Sequence, residues 1–458
     1  MLLNLLYSIL DFRRGYRGFR ALLVRNAESK AQIQGDKMTN EQKLLSYLYT
    51  IDTIQRRQLV IALSDMPYQS LTLAVRNAVK HGYVEVFRKD ESNHIRISQD
   101  GVKYIRSVAK DSLDSEKRAN MKRRFKGEQG RRLNRVETTS CMCRAAGIPL
   151  AKEVGISLSE LLITDTQDYT RFMNDYFYDK GLLFLSDELS ATIKATHTVG
   201  EEYTTGRSRL VGIIINYKGI FFLYCTLDKL MRWIVSYEHR RADAITKILK
   251  DSDASKQNAD FDYVCSLMYK SVIIGKTCAM IPKIITGNKY GKAVTNPGKN
   301  GIADNLLTLT NLEQVYARNY FVPTNTLGVE LLSRTVTLTR DDLNQMIEMW
   351  LSEMTNTHTC VDAREYTEAY IDDDSEKTLI FPIIELEELV YQKAGREKYH
   401  IVCERGTQDG ISRTMGNKVI DFKDMNNEPM PAHKYDDAGI RRDGINPLTH
   451  SGYWEEEP

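Results

Sequence analysis

From Met38 to Ala109 the apolar positions recur first at helical and then at strand spacing. Thr39 with Gln42 three residues later makes a capping box, and Leu44, Leu45, Leu48 and Tyr49 follow on one helical face. A second helix is predicted after Thr53, carrying Ile54, Leu59, Val60 and Leu63 and stopping near Ser64, Asp65 and Pro67. A third runs from about Gln69 to His81 with Leu71, Val75, Ala78 and Val79 inward, and Gly82 stands at the favoured C-cap position. Tyr83 to Phe87 and His94 to Ser98 then alternate on either side of the turn Asp90-Glu91-Ser92-Asn93, which predicts a hairpin. Asp100 to Ala109 reads as one more helix, with Val102, Ile105 and Val108 on one side. Three helices, a two-stranded wing and a helix follow the order of a winged helix-turn-helix.

Residues 136–423 mix the two periods. Leu210 to Ile215 and Gly219 to Tyr224 flank Asn216-Tyr217-Lys218 and predict a buried hairpin. Leu230–Leu249 and Asp341–Met354 are helical in pattern, and strand-like runs recur at Val329–Leu338, Leu379–Ile384 and Tyr399–Cys403. The fold class expected is α+β, an amino-terminal winged helix-turn-helix over residues 38–110 followed by a mixed α/β domain. Between them, residues 111–135 read as a basic linker or helix. Residues 424–458 hold four of the ten prolines and read as an extended or disordered tail. Residues 1–37 form an extension whose start, MLLNLLYSIL, reads as a short amphipathic helix. That run is too short to span a bilayer, and its arginines follow it where a signal peptide would place them first.

Charge is what turns this layout toward a function. Residues 1–150 hold 28 Lys and Arg against 15 Asp and Glu, whereas the remaining residues hold 35 against 46. A basic third of this kind suits a polyanion, because Lys and Arg neutralise phosphates and release counterions. On the third helix Gln69, Thr72, Arg76, Asn77 and Lys80 point outward and supply donors and acceptors for base edges in a major groove. The wing adds Arg88, Lys89, His94 and Arg96, and the basic segment adds Lys122, Arg123, Arg124, Lys126, Arg131 and Arg132 for phosphate contact. Double-stranded DNA is the partner these residues predict, with the acidic remainder left for a protein partner or self-association.

Catalytic chemistry is less legible. The eight histidines never form a His-x-His pair, and the seven scattered cysteines imply neither a disulfide framework nor, from the lone Cys141-x-Cys143, a zinc site. A reducing, cytoplasmic compartment follows, and neither a metal nor a cofactor is expected. Gly275-Lys276-Thr277 ends like a phosphate-binding loop but lacks the earlier glycine, because position 270 is Lys270, so it reads as a strand-to-helix turn. Asp372-Asp373-Asp374 and Glu404 read as solvated turns, and the neighbouring residues of Tyr237-Glu238-His239-Arg240-Arg241 point different ways on a helix. A nuclease reading would need Glu201, Glu202, Asp228 and Glu238 to converge in the fold.

The segment Thr39–Ala109, followed by Arg131-Arg132-Leu133-Asn134-Arg135-Val136 and the strand pair at 210–224, resembles the replication-relaxation type proteins of plasmids and integrative conjugative elements. The resemblance implies DNA binding in replication or conjugative mobilisation of a mobile element. It also implies a second domain distantly similar in layout to restriction-type nucleases. The carboxylate and lysine signature of cleavage is not evident, so cleavage is not carried over. Transcriptional regulation is the alternative use of the same DNA contact.

Overall fold

The structure, a computed structural model, describes residues 38–51, 53–63, 66–89, 92–108, 127–196, 208–227, 229–287, 305–339, 341–347, 361–362, 368–370, 377–395, 398–424 and 429–430. The expected extension at 1–37 and the tail beyond 430 lie outside them, as does most of the basic segment. The chain is mixed α+β.

The amino-terminal unit begins with α1 (Asn40–Ile51), whose start is closed reciprocally: the Thr39 amide donates to Gln42 Oε1 at 2.8 Å and the Gln42 amide to Thr39 Oγ1 at 3.2 Å. Its buried side is Leu44, Leu45, Tyr47, Leu48 and Ile51. The predicted second helix is shorter than its apolar pattern suggests. Thr53–Gln55 is a strand, β1, and the helical part is a single 3-10 turn at Arg56–Gln58 that runs into α2 (Leu59–Ala62). Ile54 is buried all the same, because β1 pairs with β3 and brings Ile54 opposite Ile95.

Helix α3 (Tyr68–Lys80) buries Leu71, Ala74, Val75 and Ala78. Val79, expected inward, is 44% exposed, and the smaller Ala74 takes the inner position. Gly82 ends the helix at φ 73°, a left-handed turn that costs glycine little. Strands β2 (Val84–Lys89) and β3 (Ser92–Ile97) pair antiparallel, giving a three-stranded sheet in the order β1-β3-β2. Helix α4 (Gln99–Val108) buries Gly101, Val102 and Ile105, while Val108 is exposed. Tyr83 and Tyr104 stack at 4.5 Å beside it.

The next helix, α5 (Gly127–Ala145), runs through position 136, where the sequence pattern places the start of the second domain. It packs on β1 and α2 on one side, and on β4 (Leu182–Leu185), β6 (Gly219–Leu227) and α8 (Thr326–Thr337) on the other. The five-stranded sheet it supports has the order β4-β5-β6-β7-β8, with β5 at Gly212–Asn216, β7 at Lys270–Gly275 and β8 at Arg318–Pro323. Strands β4 to β6 are antiparallel, and β6, β7 and β8 are parallel. The predicted hairpin at 210–224 is β5–β6. Helix α6 (Ser186–Thr196) follows β4, and α7 (Val235–Lys250) links β6 to β7.

The apolar run at 329–338, predicted as a strand, lies mostly in helix α8. Leu331, Leu332, Thr335 and Val336 are buried at helical spacing, and Asn325 caps the helix by accepting from the Gly328 amide. A short apolar run fits either period, and the cap decides between them. A second sheet, β14-β13-β12-β11-β10-β9, has a parallel centre of β11 (Lys377–Phe381), β12 (Tyr399–Cys403) and β13 (Val419–Lys423). Its outer strands are β9 (Val361–Asp362), β10 (Glu368–Tyr370) and β14 (Pro429–Met430). Helices α9 (Leu386–Ala394) and α10 (Gln408–Met415) connect the parallel strands. The two sheets meet where the Phe321 amide donates to the Ile384 carbonyl and Arg318 pairs with Glu385.

Gly101 limits what α4 tolerates, since a Cβ there would lie 2.2 Å from the Tyr83 carbonyl oxygen and 2.9 Å from Ile97. Gly101→Ala is expected to destabilise the amino-terminal unit by about 2–3 kcal/mol, read as an earlier first transition in urea.

Candidate nucleic-acid interface

Because one face of α3 is buried against α1, its other face is the side available to a ligand. Gln69, Arg76 and Lys80 are exposed there, Asn77 is half-buried, and the apolar Leu73 stands 59% exposed among them. Thr72 is half-buried and turns its hydroxyl back to the Tyr68 carbonyl at 3.0 Å. Arg56, on the turn between β1 and α2, approaches the same helix. Partial burial lowers its pKa, and the charge of Arg76 lowers it further, while Tyr68 acts in the opposite sense. Leu73 is outward as its helical position predicts, whereas Arg56 and the exposed Tyr68 were missed at the sequence level. The available signal was the Arg56-Arg57 pair directly before the second helix.

The hairpin contributes less charge than its composition implies. His94 is 1% exposed, with Nδ1 3.7 Å from Glu137 Oε2 on α5, so it lies under the hairpin and away from any phosphate backbone. Arg96 is half-buried and forms an ion pair with Glu85 on the neighbouring strand. The two departures have different causes: His94 faces Glu137 of α5, whereas Arg96 stands directly across from Glu85 on β2. Arg88 and Lys89 lie on β2, but their side chains are outside the described residues, as are Lys122, Arg123, Arg124 and Lys126. Arg131 and Arg132 are exposed on α5, and Arg132 donates through Nη2 to Ser186 Oγ at 3.3 Å, toward the second unit.

Among the described residues, which include only Glu238 of the four acidic candidates, no group of three or more His, Cys, Asp or Glu could hold a metal ion. Glu238 is fully buried and accepts from the Arg209 amide at 2.6 Å, from Ser208 Oγ at 2.7 Å and from Tyr224 OH at 3.0 Å. Tyr224 in turn lies 2.6 Å from Tyr316 OH. Burial raises the pKa of Glu238 against those hydrogen bonds. Glu201, Glu202, Asp228 and Asp372-Asp373-Asp374 lie outside the described residues. Glu404, read as a solvated turn residue, pairs with Arg334. Cys141 turns its Sγ to the Gln58 carbonyl at 3.2 Å, and burial pushes the thiols of Cys141 and Cys143 well above the ordinary range.

Gly275-Lys276-Thr277 is the turn after β7, held by the Lys276 amide donating to the carbonyl of Leu227, itself at φ 56°. Among the described residues no helix is long and apolar enough to cross a membrane. Comparison of the chain with protein-family models, with curated proteins and with solved structures finds no match.

Two outcomes follow from these placements. His94→Ala should lower stability by about 1–3 kcal/mol in chemical denaturation, since it empties a buried polar position at the seam with α5. For Glu238 the sign is set by its raised pKa: the folded protein holds that proton at pH values where the unfolded chain has released it, so stability falls as pH rises above the ordinary glutamate value. Urea midpoints from pH 5 to 8 should decline in the wild type and decline less in Glu238→Gln.

Proposed function

We propose that residues 38–110 form a winged helix-turn-helix and that the protein binds double-stranded DNA with sequence preference. The single observation that carries this reading is the outward face of α3. Gln69, Arg76 and Lys80 are exposed on a helix whose opposite face is packed, and Arg56 stands beside Arg76. The element order and the β1-β3-β2 pairing support it, as does the positive excess of the first 150 residues. In this reading α3 enters a major groove, where Gln69, Arg76 and Asn77 meet base edges and Leu73 suits a thymine methyl group. Arg88 and Lys89 on the wing, with Lys122, Arg123, Arg124, Lys126 and Arg131, neutralise phosphates.

The biological setting follows from the resemblance alone: an accessory factor in replication or conjugative mobilisation of a mobile element. The acidic second unit then serves a partner protein or a second copy of the chain.

The test is binding of labelled specific and random duplexes across a salt series, with Mg²⁺ present and the strands run on a denaturing gel. Arg76→Ala should cost about 1–3 kcal/mol on the preferred site and little on random duplex. Joint replacement of Arg123 and Arg124 should weaken both duplexes alike and flatten the log–log salt slope by about 1–2. Equal losses on both duplexes in both variants would overturn the division between base and phosphate contacts. Absence of binding at low salt would overturn the DNA reading itself, and nicked strands would add cleavage to it.

A further inference from the structure

Arg241 on α7 is 4% exposed, a burial rarely tolerated by an arginine without full hydrogen bonding. Its Nη2 donates to the Ser186 carbonyl and to Ser190 Oγ, both at 3.0 Å. Its Nε and Nη1 reach no acceptor among the described residues. Three of the five guanidinium N–H groups are therefore unspent in a buried position. Glu238, one turn earlier on the same helix, does not take them, because Ser208, Arg209 and Tyr224 donate to its oxygens.

A second guanidinium meets the same serine from the other side. Arg132 of α5 is exposed and donates to Ser186 Oγ, and its charge acts on Arg241. Like charges drawn to one buried serine repel, and the cost grows as water is excluded. Burial is the largest effect on Arg241, and the charge of Glu238 offsets part of the repulsion through space, but the two other neighbouring carboxylates are engaged elsewhere. Asp187 is paired with Lys152 at 2.9 Å and capped by its own helix, and Glu188 accepts from the Leu158 amide at 2.8 Å. The Ser186 hydroxyl, while accepting from Arg132, keeps its own proton to give.

We propose that α5, α7 and the start of α6 form a phosphate-binding site, with Arg241 as its floor, Arg132 at its rim and the Ser186 hydroxyl between them. Two converging guanidinium groups and a hydroxyl offer several charge-assisted donors, which suits an oxyanion with many acceptor atoms. The phosphate belongs either to a free nucleotide or to a nucleic-acid backbone. The site stands on its own geometry and does not depend on the DNA reading of α3.

The experiment titrates the full chain with inorganic phosphate at constant ionic strength, followed by calorimetry and by ³¹P line width. Saturable binding is expected. Arg132→Gln, a change at an exposed side chain, should weaken it about tenfold or more, as loss of one charge-assisted partner implies, with the circular dichroism and urea midpoint unchanged. Ser186→Ala should weaken it less, and Arg241→Lys keeps the buried charge while removing the planar fork. No saturable binding, or equal binding by wild type and Arg132→Gln, would overturn the site. Two further arms separate the sources. Inorganic phosphate that displaces a random duplex assigns the site to a nucleic-acid backbone. A 5′-mononucleotide that binds more tightly than phosphate and leaves duplex binding unchanged assigns it to a free nucleotide.

Discussion

The structure depends on how helix α5 is buried. It belongs to neither unit alone, since the amino-terminal unit packs on one side and the five-stranded sheet with α8 on the other. Its central residues Glu137, Thr138, Thr139 and Ser140 are at most 3% exposed. Gln58 donates to Thr138 at 3.2 Å, Cys141 points to the Gln58 carbonyl, and Arg144 lies over the Tyr47 ring at 5.1 Å. On the far side Met142 closes on Gly328 of α8. An apolar seam tolerates sliding, because one hydrocarbon contact replaces another. A polar seam fixes its register, because each buried donor and acceptor needs its own partner.

That same polarity explains why the helix was hard to read. A helix packed on two sides by polar and small residues has no single apolar stripe, so Gly-Glu-Gln-Gly-Arg-Arg-Leu-Asn-Arg-Val-Glu-Thr-Thr-Ser reads as the end of a basic linker or helix followed by a new domain, and not as one continuous helix. Helices α1, α3 and α4 were legible because each has one wet and one dry side, and α1 carries its start signal in Thr39 and Gln42. The hairpin β2–β3 was legible for the matching reason at period two. What local pattern does not reveal is which strand becomes central. His94 is buried facing Glu137 of α5, and the ion pair with Glu85 on β2 drew in Arg96, two residues whose types alone suggested an open, basic surface.

The outward face of α3 was read nearly complete, and the reason is geometric. Once Leu71, Val75 and Ala78 are known to be inward, the 3.6-residue period places Gln69, Arg76 and Lys80 on the other side. The exchange of Val79 for Ala74 marks the limit of that logic. The close-packed side selects by fit against α1 and not by hydrophobicity alone, so the smaller residue goes in and the larger one faces water. Arg56 was invisible for another reason. It joins the face through space, across a turn, and no period along the chain connects it to Arg76.

The buried cluster on α7 was also hidden by its own sequence. Tyr237 to Arg241 gave no positioned chemistry because adjacent residues diverge, and His239 does turn out to Asp243 at 2.6 Å. Glu238 and Arg241, three positions apart, share the inward face, yet they do not neutralise each other through a hydrogen bond. The carboxylate takes three donors from Ser208, Arg209 and Tyr224, and the guanidinium spends two of its protons on Ser186 and Ser190. A core selected for stability alone would favour apolar residues or a direct pair in such a place. Separate satisfaction of the acid and partial satisfaction of the base leave the residual charge on the arginine side, where Arg132 arrives from α5. The helix that fixes the register of the two units thus also delivers the second cation to Ser186, so occupancy of that position and the placement of α5 are mechanically one variable.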